Sequence, residues 1–424
     1  MKKITIAICT ILMLLVGFPV SAKADSIPEP RSGHSMVEFN GNLYVFGGQG
    51  QETKCGQRLA MGGPLFDDLW EFNVDNSEWE GIDFVNDPPP ARQGHAAVVY
   101  NDKMYVFFGQ GESGDLSDIW TYDFSTKTWE QQTYEPPARV NHTATVVNND
   151  ILIFGGRTSD NSQTFGDAWS YDPTTGNWEQ KASIFGGKER YGHSAIPCDN
   201  MLYVYGGAKD GVYYDDMWVY LVTGDFWSSF TPQGDPPPAR KYPATAYKDY
   251  SWWIFGGEGS YLKDTWEFDI STNAWTQKSD GPVRSQAAAA SVYLSKNNYF
   301  SKGQDVVYLF GGLDSDGNQT NDLWKYDPST DAWEEIFVGI EETEDANSKE
   351  QNSKLKAFPN PFLKYISIYG TENQVEIYDF SGSLVETTNK GIWNGKDAHG
   401  NEVESGIYFL KSKGCKPVKV VKLR

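Results

Sequence analysis

The sequence predicts an all-β protein: a ring of six four-stranded units, a β-propeller, followed by a small all-β domain. Three observations carry this. Tryptophans nine residues apart recur six times, as Trp70/Trp79, Trp120/Trp129, Trp169/Trp178, Trp218/Trp227, Trp266/Trp275 and Trp324/Trp333, and use 12 of the 15 tryptophans. The pairs repeat every 48 to 50 residues, with a last step of 58, and a period of that size marks a repeat architecture. No stretch sustains a helical period of apolar residues. A four-stranded unit cannot bury both of its faces alone, whereas six set radially bury one another's.

Each unit opens on an arginine: Arg31, Arg92, Arg139, Arg190, Arg240 and Arg284. Strand A follows, as at residues 95–100. A two-residue turn such as Asn40-Gly41 leads into strand B, at residues 43–46 or 104–108. A glycine doublet ends strand B 16 residues after the arginine, at Gly47-Gly48, Gly155-Gly156, Gly206-Gly207 and Gly256-Gly257. Glycine there permits a positive φ or a close approach of backbone. Unit two has Phe108-Gly109 instead, and unit six reaches Gly311-Gly312 only after 27 residues, which implies an 11-residue insertion near 295–304. Strand C carries the first tryptophan, as at residues 69–72, where alternate aromatics share a face. Pro173-Thr-Thr-Gly176 is a C-to-D turn, and strand D begins at the second tryptophan. Prolines at 88–90, 136–137 and 236–238 precede strand A, where a residue that cannot donate to a ladder suits the crossing between sheets. The large tryptophan rings are expected between blades.

An Asp stands two residues before every first tryptophan: Asp68, Asp118, Asp167, Asp216, Asp264 and Asp322. With Arg-x-Gly-His, Leu-Tyr-Val-Phe-Gly-Gly, Asp-Leu-Trp and a tryptophan nine later, residues 27–338 resemble the Kelch repeat. The resemblance implies a six-bladed Kelch β-propeller. It leaves activity open, because Kelch propellers serve as protein-binding modules, cytoskeletal partners, sialic-acid mutarotases and copper-radical oxidases.

The ends read differently. Residues 1–24 have Lys2-Lys3, an apolar run over 4–16 and Ala22-Lys23-Ala24, the pattern of a cleaved secretory signal peptide. No other transmembrane candidate follows. The propeller is assigned to 25–338 and an acidic, apolar-poor linker to 339–354. Residues 355–424 read as a small β domain with strands near 366–369, 375–379, 407–410 and 419–423. Phe358-Pro-Asn-Pro361, Val375-Glu-Ile-Tyr-Asp-Phe-Ser-Gly382, Gly406-Ile-Tyr-Phe-Leu410 and Lys419-Val-Val-Lys422 resemble the type A C-terminal sorting domain of the type IX secretion system. Trp393-Asn-Gly-Lys-Asp397 resembles Ig-like modules that share a β-sandwich form. These resemblances imply export, engagement of the secretion machinery, and release or attachment at the outer surface.

Residues 25–338 hold 21 Lys and Arg against 45 Asp and Glu, a net of −24, while residues 355–424 carry +3. So acidic a propeller argues against nucleic acid, whose affinity comes largely from phosphate neutralisation. Three cysteines remain after signal removal, Cys55, Cys198 and Cys415, too few for a disulfide framework. A Cys55–Cys198 pair stays open.

The starts of strands A and C share one face with the B–C loops, so that face bears the six Arg and the six Asp. Two readings stand. The arginines ring the mouth and grip an anion, as Kelch binding modules grip acidic peptides with equivalent arginines, or each is tied to an Asp to brace the blades. The B–C loops add Arg58, Tyr213, Tyr214 and Tyr261 as binding candidates. His34, His95, His142 and His193 follow their arginines by three and read as structural rather than as metal ligands. No cofactor is implied. The leading expectation is a binding module for a protein or glycan ligand, anionic ligands included. The alternative is an epimerase of the sialic-acid mutarotase type.

Overall fold

The computed structural model describes residues 27–51, 63–132, 136–259, 263–294, 304–336, 356–358, 366–369, 374–379, 383–389, 392–412 and 418–422. The chain divides into two compact units, Met1–Ile340 and Glu341–Arg424. All described elements are strands, isolated bridges and turns.

The first unit is a six-bladed propeller. Blade one consists of Ser35–Phe39, Asn42–Phe46, Leu69–Asn73 and Glu78–Gly81, hydrogen-bonded in that order. The other five repeat the plan, ending with Ala288–Leu294, Gln304–Leu313, Gln319–Asp327 and Ala332–Ile336. Strand A of each blade lies beside strand A of the next all the way round, so A is the inner strand. The unit-six insertion falls between strands A and B, at 295–303, outside the described residues. Asn40 and Gly41 have φ of 52° and 83°, as do Asn148 and Asn149 at 51° and 68°; two successive positive φ angles make the tight hairpin turn whose twist matches its strands.

The four main strands of every blade come from one unit, the N-terminal Arg31–Ser32 adds to the edge of blade six by pairing Arg31 with Thr320, and two further devices close the ring. One is aromatic. The second tryptophan of each blade packs on the aromatic that ends strand B of the blade before it: Trp129 on Phe46, Trp227 on Phe154, Trp275 on Tyr205 and Trp333 on Phe255, with centroids 4.4–5.2 Å apart. Trp79 on Phe310, at 5.0 Å, joins blade one to blade six in the same way. The other device is a circle of main-chain hydrogen bonds around the axis. The amide of Gly94 donates to the carbonyl of Gly33, Asn141 to Gly94, Gly192 to Asn141, Tyr242 to Gly192, Gln286 to Tyr242, and Gly33 to Gln286, at 2.6–3.2 Å. All six residues have φ between 54° and 65°, and all stand two after the opening arginine.

The second unit has two antiparallel sheets. One orders Lys356–Phe358, Ile366–Tyr369 and Ile392–Trp393; the other orders Leu384–Thr388, Val375–Asp379, Gly406–Ser412 and Val418–Lys422. Ile366, Ile368 and Trp393 of the first share an apolar cluster with Ile377, Tyr408, Leu410 and Val420 of the second.

Candidate functional site

The opening arginines lie inside the protein. Arg31, Arg92, Arg139 and Arg190 are 0 % exposed and Arg240 is 1 %. Each donates from both terminal nitrogens to the Asp before its blade's first tryptophan, at 2.6–3.4 Å. Each also donates Nη1 to the carbonyl 16 residues on and Nε to the carbonyl two residues back. The same Asp accepts the indole N–H of that tryptophan at 2.6–3.0 Å. Arg, Asp, Trp and the end of strand B are thereby tied into one bolt per blade. The arginine beside them holds the Asp118 and Asp167 carboxyls below their ordinary range and Asp216 at about 2, against the opposing effect of burial. Blade six is looser. Arg284 pairs with Asp322 and donates to the Val283 carbonyl, while its Nε is buried without a partner. The bracing reading therefore describes Arg31, Arg92, Arg139, Arg190 and Arg240, and for these five the mouth-ring reading is corrected: a guanidinium with all three nitrogens hydrogen-bonded and at most 1 % exposed offers nothing to a ligand.

Aromatics from the B–C loops cover the bolts. Phe66 lies 4.3 Å from Arg31, Phe165 4.3 Å from Arg139, and Tyr214 4.7 Å from Arg190. Tyr214 thus takes the position of two phenylalanines, a structural lid with a hydroxyl that reaches the Gly187 carbonyl at 3.3 Å. Arg58, Tyr261 and Cys55 lie outside the described residues. Cys198 is a free, buried thiol.

The histidines join neighbouring blades. His95 Nε2 meets Ser35 Oγ at 2.9 Å, His193 Nε2 meets Thr143 Oγ1 at 2.9 Å, and His34 Nε2 donates to the Phe310 carbonyl at 3.2 Å. Burial and the nearby arginine push His34 down to about 3 and the other three far below their ordinary value, so the rings are neutral. Among the described residues no group of three or more His, Cys, Asp or Glu is placed to hold a metal ion. His142 has no partner on either nitrogen. Its counterpart to Ser35 and Thr143 is Ala96, which has no hydroxyl. Ala96→Ser should supply that hydroxyl and raise stability by about 1 kcal/mol, read as a higher denaturant midpoint at unchanged slope; an unchanged midpoint would refute it.

Side chains do gather at the axial mouth, in positions the arginine count did not flag. The residue after each opening arginine pairs with one just past the glycine doublet: Ser32 with Gln49, Gln93 with Gln110, Val140 with Arg157, Tyr191 with Ala208, Lys241 with Glu258 and Ser285 with Leu313. Blades three to five make this rim cationic and aromatic. Arg157 lies 4.1 Å over the Tyr191 ring, and its Nη2 donates to Tyr242 Oη at 3.3 Å. Asn141 Nδ2 donates to the same hydroxyl at 3.2 Å. Lys241 Nζ lies 5.1–5.6 Å from the rings of Tyr191, Tyr213 and Tyr242 and 3.0 Å from Glu258. Below the rim is an axial cavity of about 140 Å³, lined by the four histidines, Gly33, Gly94, Asn141, Gly192, Tyr242 and Gln286 among others. Of the forecast binding residues, Tyr213 belongs to this cluster. Arg157, Tyr191, Lys241 and Tyr242 were missed. The available signal was Tyr242, a bulky side chain in register with glycines at 33, 94 and 192.

Radial blades, arginine–aspartate bolts and tryptophans between blades define a six-bladed Kelch propeller. The chain belongs to the KLHDC2/KLHL20/DRC7 Kelch-repeats domain family, whose model matches residues 19–135 and 131–304; a Kelch motif matches 303–336. The secretion system C-terminal sorting domain matches 356–423. Similar proteins include a leucine-zipper-like transcriptional regulator 1 homolog of Drosophila melanogaster, 29% identical over 74% of this chain and 27% of that protein. Acyl-CoA-binding domain-containing protein 5 of Arabidopsis thaliana is 25% identical over 70% of this chain and 37% of its own length. Tip elongation aberrant protein 1 of Schizosaccharomyces pombe is 34% identical over 22% of this chain and 8% of its own. This chain thus spans well under half of those relatives. Kelch repeats with a sorting domain make it an exported Kelch-propeller module, directed to the medium or the cell surface. Among the described residues no helix is long and apolar enough to cross a membrane.

Proposed function

We propose that the protein is an exported binding module that holds a protein or glycan ligand at the axial mouth of its propeller. The observation that supports this is the cluster of Arg157, Tyr191, Lys241 and Tyr242, contributed by three blades and set on a rim whose backbone is fixed by the main-chain circle. Aromatic and arginine side chains on a rigid scaffold concentrate binding energy, because little is lost in ordering them. The cluster is also locally basic in an acidic protein, and charge-assisted hydrogen bonds act at short range where the overall field is screened over about 8 Å. Titration against peptide and glycan arrays tests the reading. Tyr242→Ala should weaken the bound ligand tenfold or more with an unchanged melting temperature, and undiminished binding would remove the mouth from consideration.

The tail supplies the route. Deletion of residues 355–424 is expected to leave the propeller folded and held in the periplasm, scored by fractionation and limited proteolysis. Normal arrival of the truncated chain at the surface or in the medium would end the sorting role.

A further inference from the structure

The mouth is chemically divided, and the division points to the ligand. Flanking the cationic aromatics of blades three to five, in blades two and six, are side-chain amides. Gln93 Nε2 donates to Gln110 Oε1 at 3.0 Å, and Gln286 Nε2 donates to Glu258 Oε1 at 3.2 Å. The side-chain amides are half-buried, each presenting a donor and an acceptor on one planar group, the pattern that matches neighbouring hydroxyls. Main-chain groups contribute nothing here. The six amides and six carbonyls nearest the axis are consumed by their own circle, so a peptide backbone finds no strand edge to extend at this point.

In blade three, next to the Gln93–Gln110 pair of blade two, Arg157 is the described arginine with no described carboxylate within 4.0 Å. The other six are paired with Asp. Arg157 is held instead by neutral partners: the Tyr191 face, Tyr242 Oη and the side-chain oxygen of Asn161. Its Nε is buried and bonds nothing. A guanidinium held in place by neutral groups keeps its charge for an incoming anion. Lys241 does not, because Glu258 already neutralises it at 3.0 Å.

Building on the mouth as binding site, we infer that the ligand is an acidic glycan, its hydroxyls read by the Gln93–Gln110 pair and its anionic group by Arg157. The test titrates the full chain with uronate- and sulfate-bearing oligosaccharides, their neutral counterparts and an acidic peptide of equal charge. An acidic oligosaccharide should bind. Arg157→Ala, or neutralising the sugar, should weaken binding roughly tenfold to a hundredfold, as for a hydrogen bond to a charged group. Gln93→Ala with Gln110→Ala should weaken the acidic and neutral sugars alike, and melting curves of all variants should match the parent. Arg157-dependent binding of the peptide without the sugars would overturn the glycan assignment and leave the mouth standing. Binding of no probe, or binding indifferent to both variants, would overturn the mouth as well.

Discussion

Arg240→Ala is expected to cost about 3–5 kcal/mol of stability, because it breaks a buried pair and strands the surviving charge. The Arg240–Asp264 contact is the most enclosed of the bolts, with side chains 2% and 3% exposed and oxygens and nitrogens 2.6–2.7 Å apart. Removal leaves the Gly256 carbonyl and the Asp264 carboxylate without their donor. The Trp266 indole, which donates to the same carboxylate at 2.7 Å, cannot replace two guanidinium bonds. Removing both partners, as Arg240→Ala with Asp264→Ala, should cost less than the sum of the single changes, since no lone charge remains buried. Arg92→Ala and Arg190→Ala should likewise lower the melting temperature while ligand affinity holds. An unchanged melting temperature for Arg240→Ala, or a double mutant that loses the full sum, would refute the bolt.

Gly156→Val should destabilise by roughly 3–5 kcal/mol, from backbone strain and overpacking together. Gly156 has φ of +95°, and a Cβ there would lie 2.9 Å from His142 Cβ and 2.9 Å from the Val140 carbonyl oxygen. The inter-blade histidine therefore sits where only a glycine leaves space. Gly155 is equally constrained from the next blade, its Cβ position 2.6 Å from the Arg190 carbonyl oxygen and 2.9 Å from His193 Cε1. Thermal melts of Gly156→Val and Gly156→Ala give the check. Valine should exceed alanine, and an unaltered transition in both would show that the doublet is a relic of strand termination alone.

Much of this was legible in the chain. Trp pairs at a spacing of nine fixed the number of blades, the order of strands and the register of the repeat, because only residues that recur in phase can occupy equivalent places around a ring. The doublets marked where strand B ends in blades one, three, four and five, and their positive φ values follow, whereas in blade six the strand runs on through Gly311 and Gly312 to Leu313 with a shift of register. In the tail, two strands were placed to the residue, at Ile366–Tyr369 and Val375–Asp379, since apolar alternation and flanking turns bound them. The strands Lys356–Phe358 and Ile392–Trp393 went unseen, too brief to show a pattern of their own, and so did the five-residue Leu384–Thr388, whose only apolar residues are its first two.

Spacing set Arg and Asp in equal number in every unit but could not say which way the side chains point. Thirty-seven residues separate Arg31 from Asp68 in sequence, and only the pairing of strands brings them to 2.6 Å. The same limit hid the mouth. Arg157, Tyr191 and Tyr242 belong to three different blades, so no local window holds them together, and their contact exists only because the ring closes. Tyr214 shows the reverse case. Alone it reads as an exposed recognition residue, yet its place in the blade is that of Phe66 and Phe165, over a buried arginine. Repetition within one chain determines the scaffold, because each unit must fit its neighbours. What the protein holds is decided by the residues that break the repeat, and their effect depends on which of them the fold sets side by side.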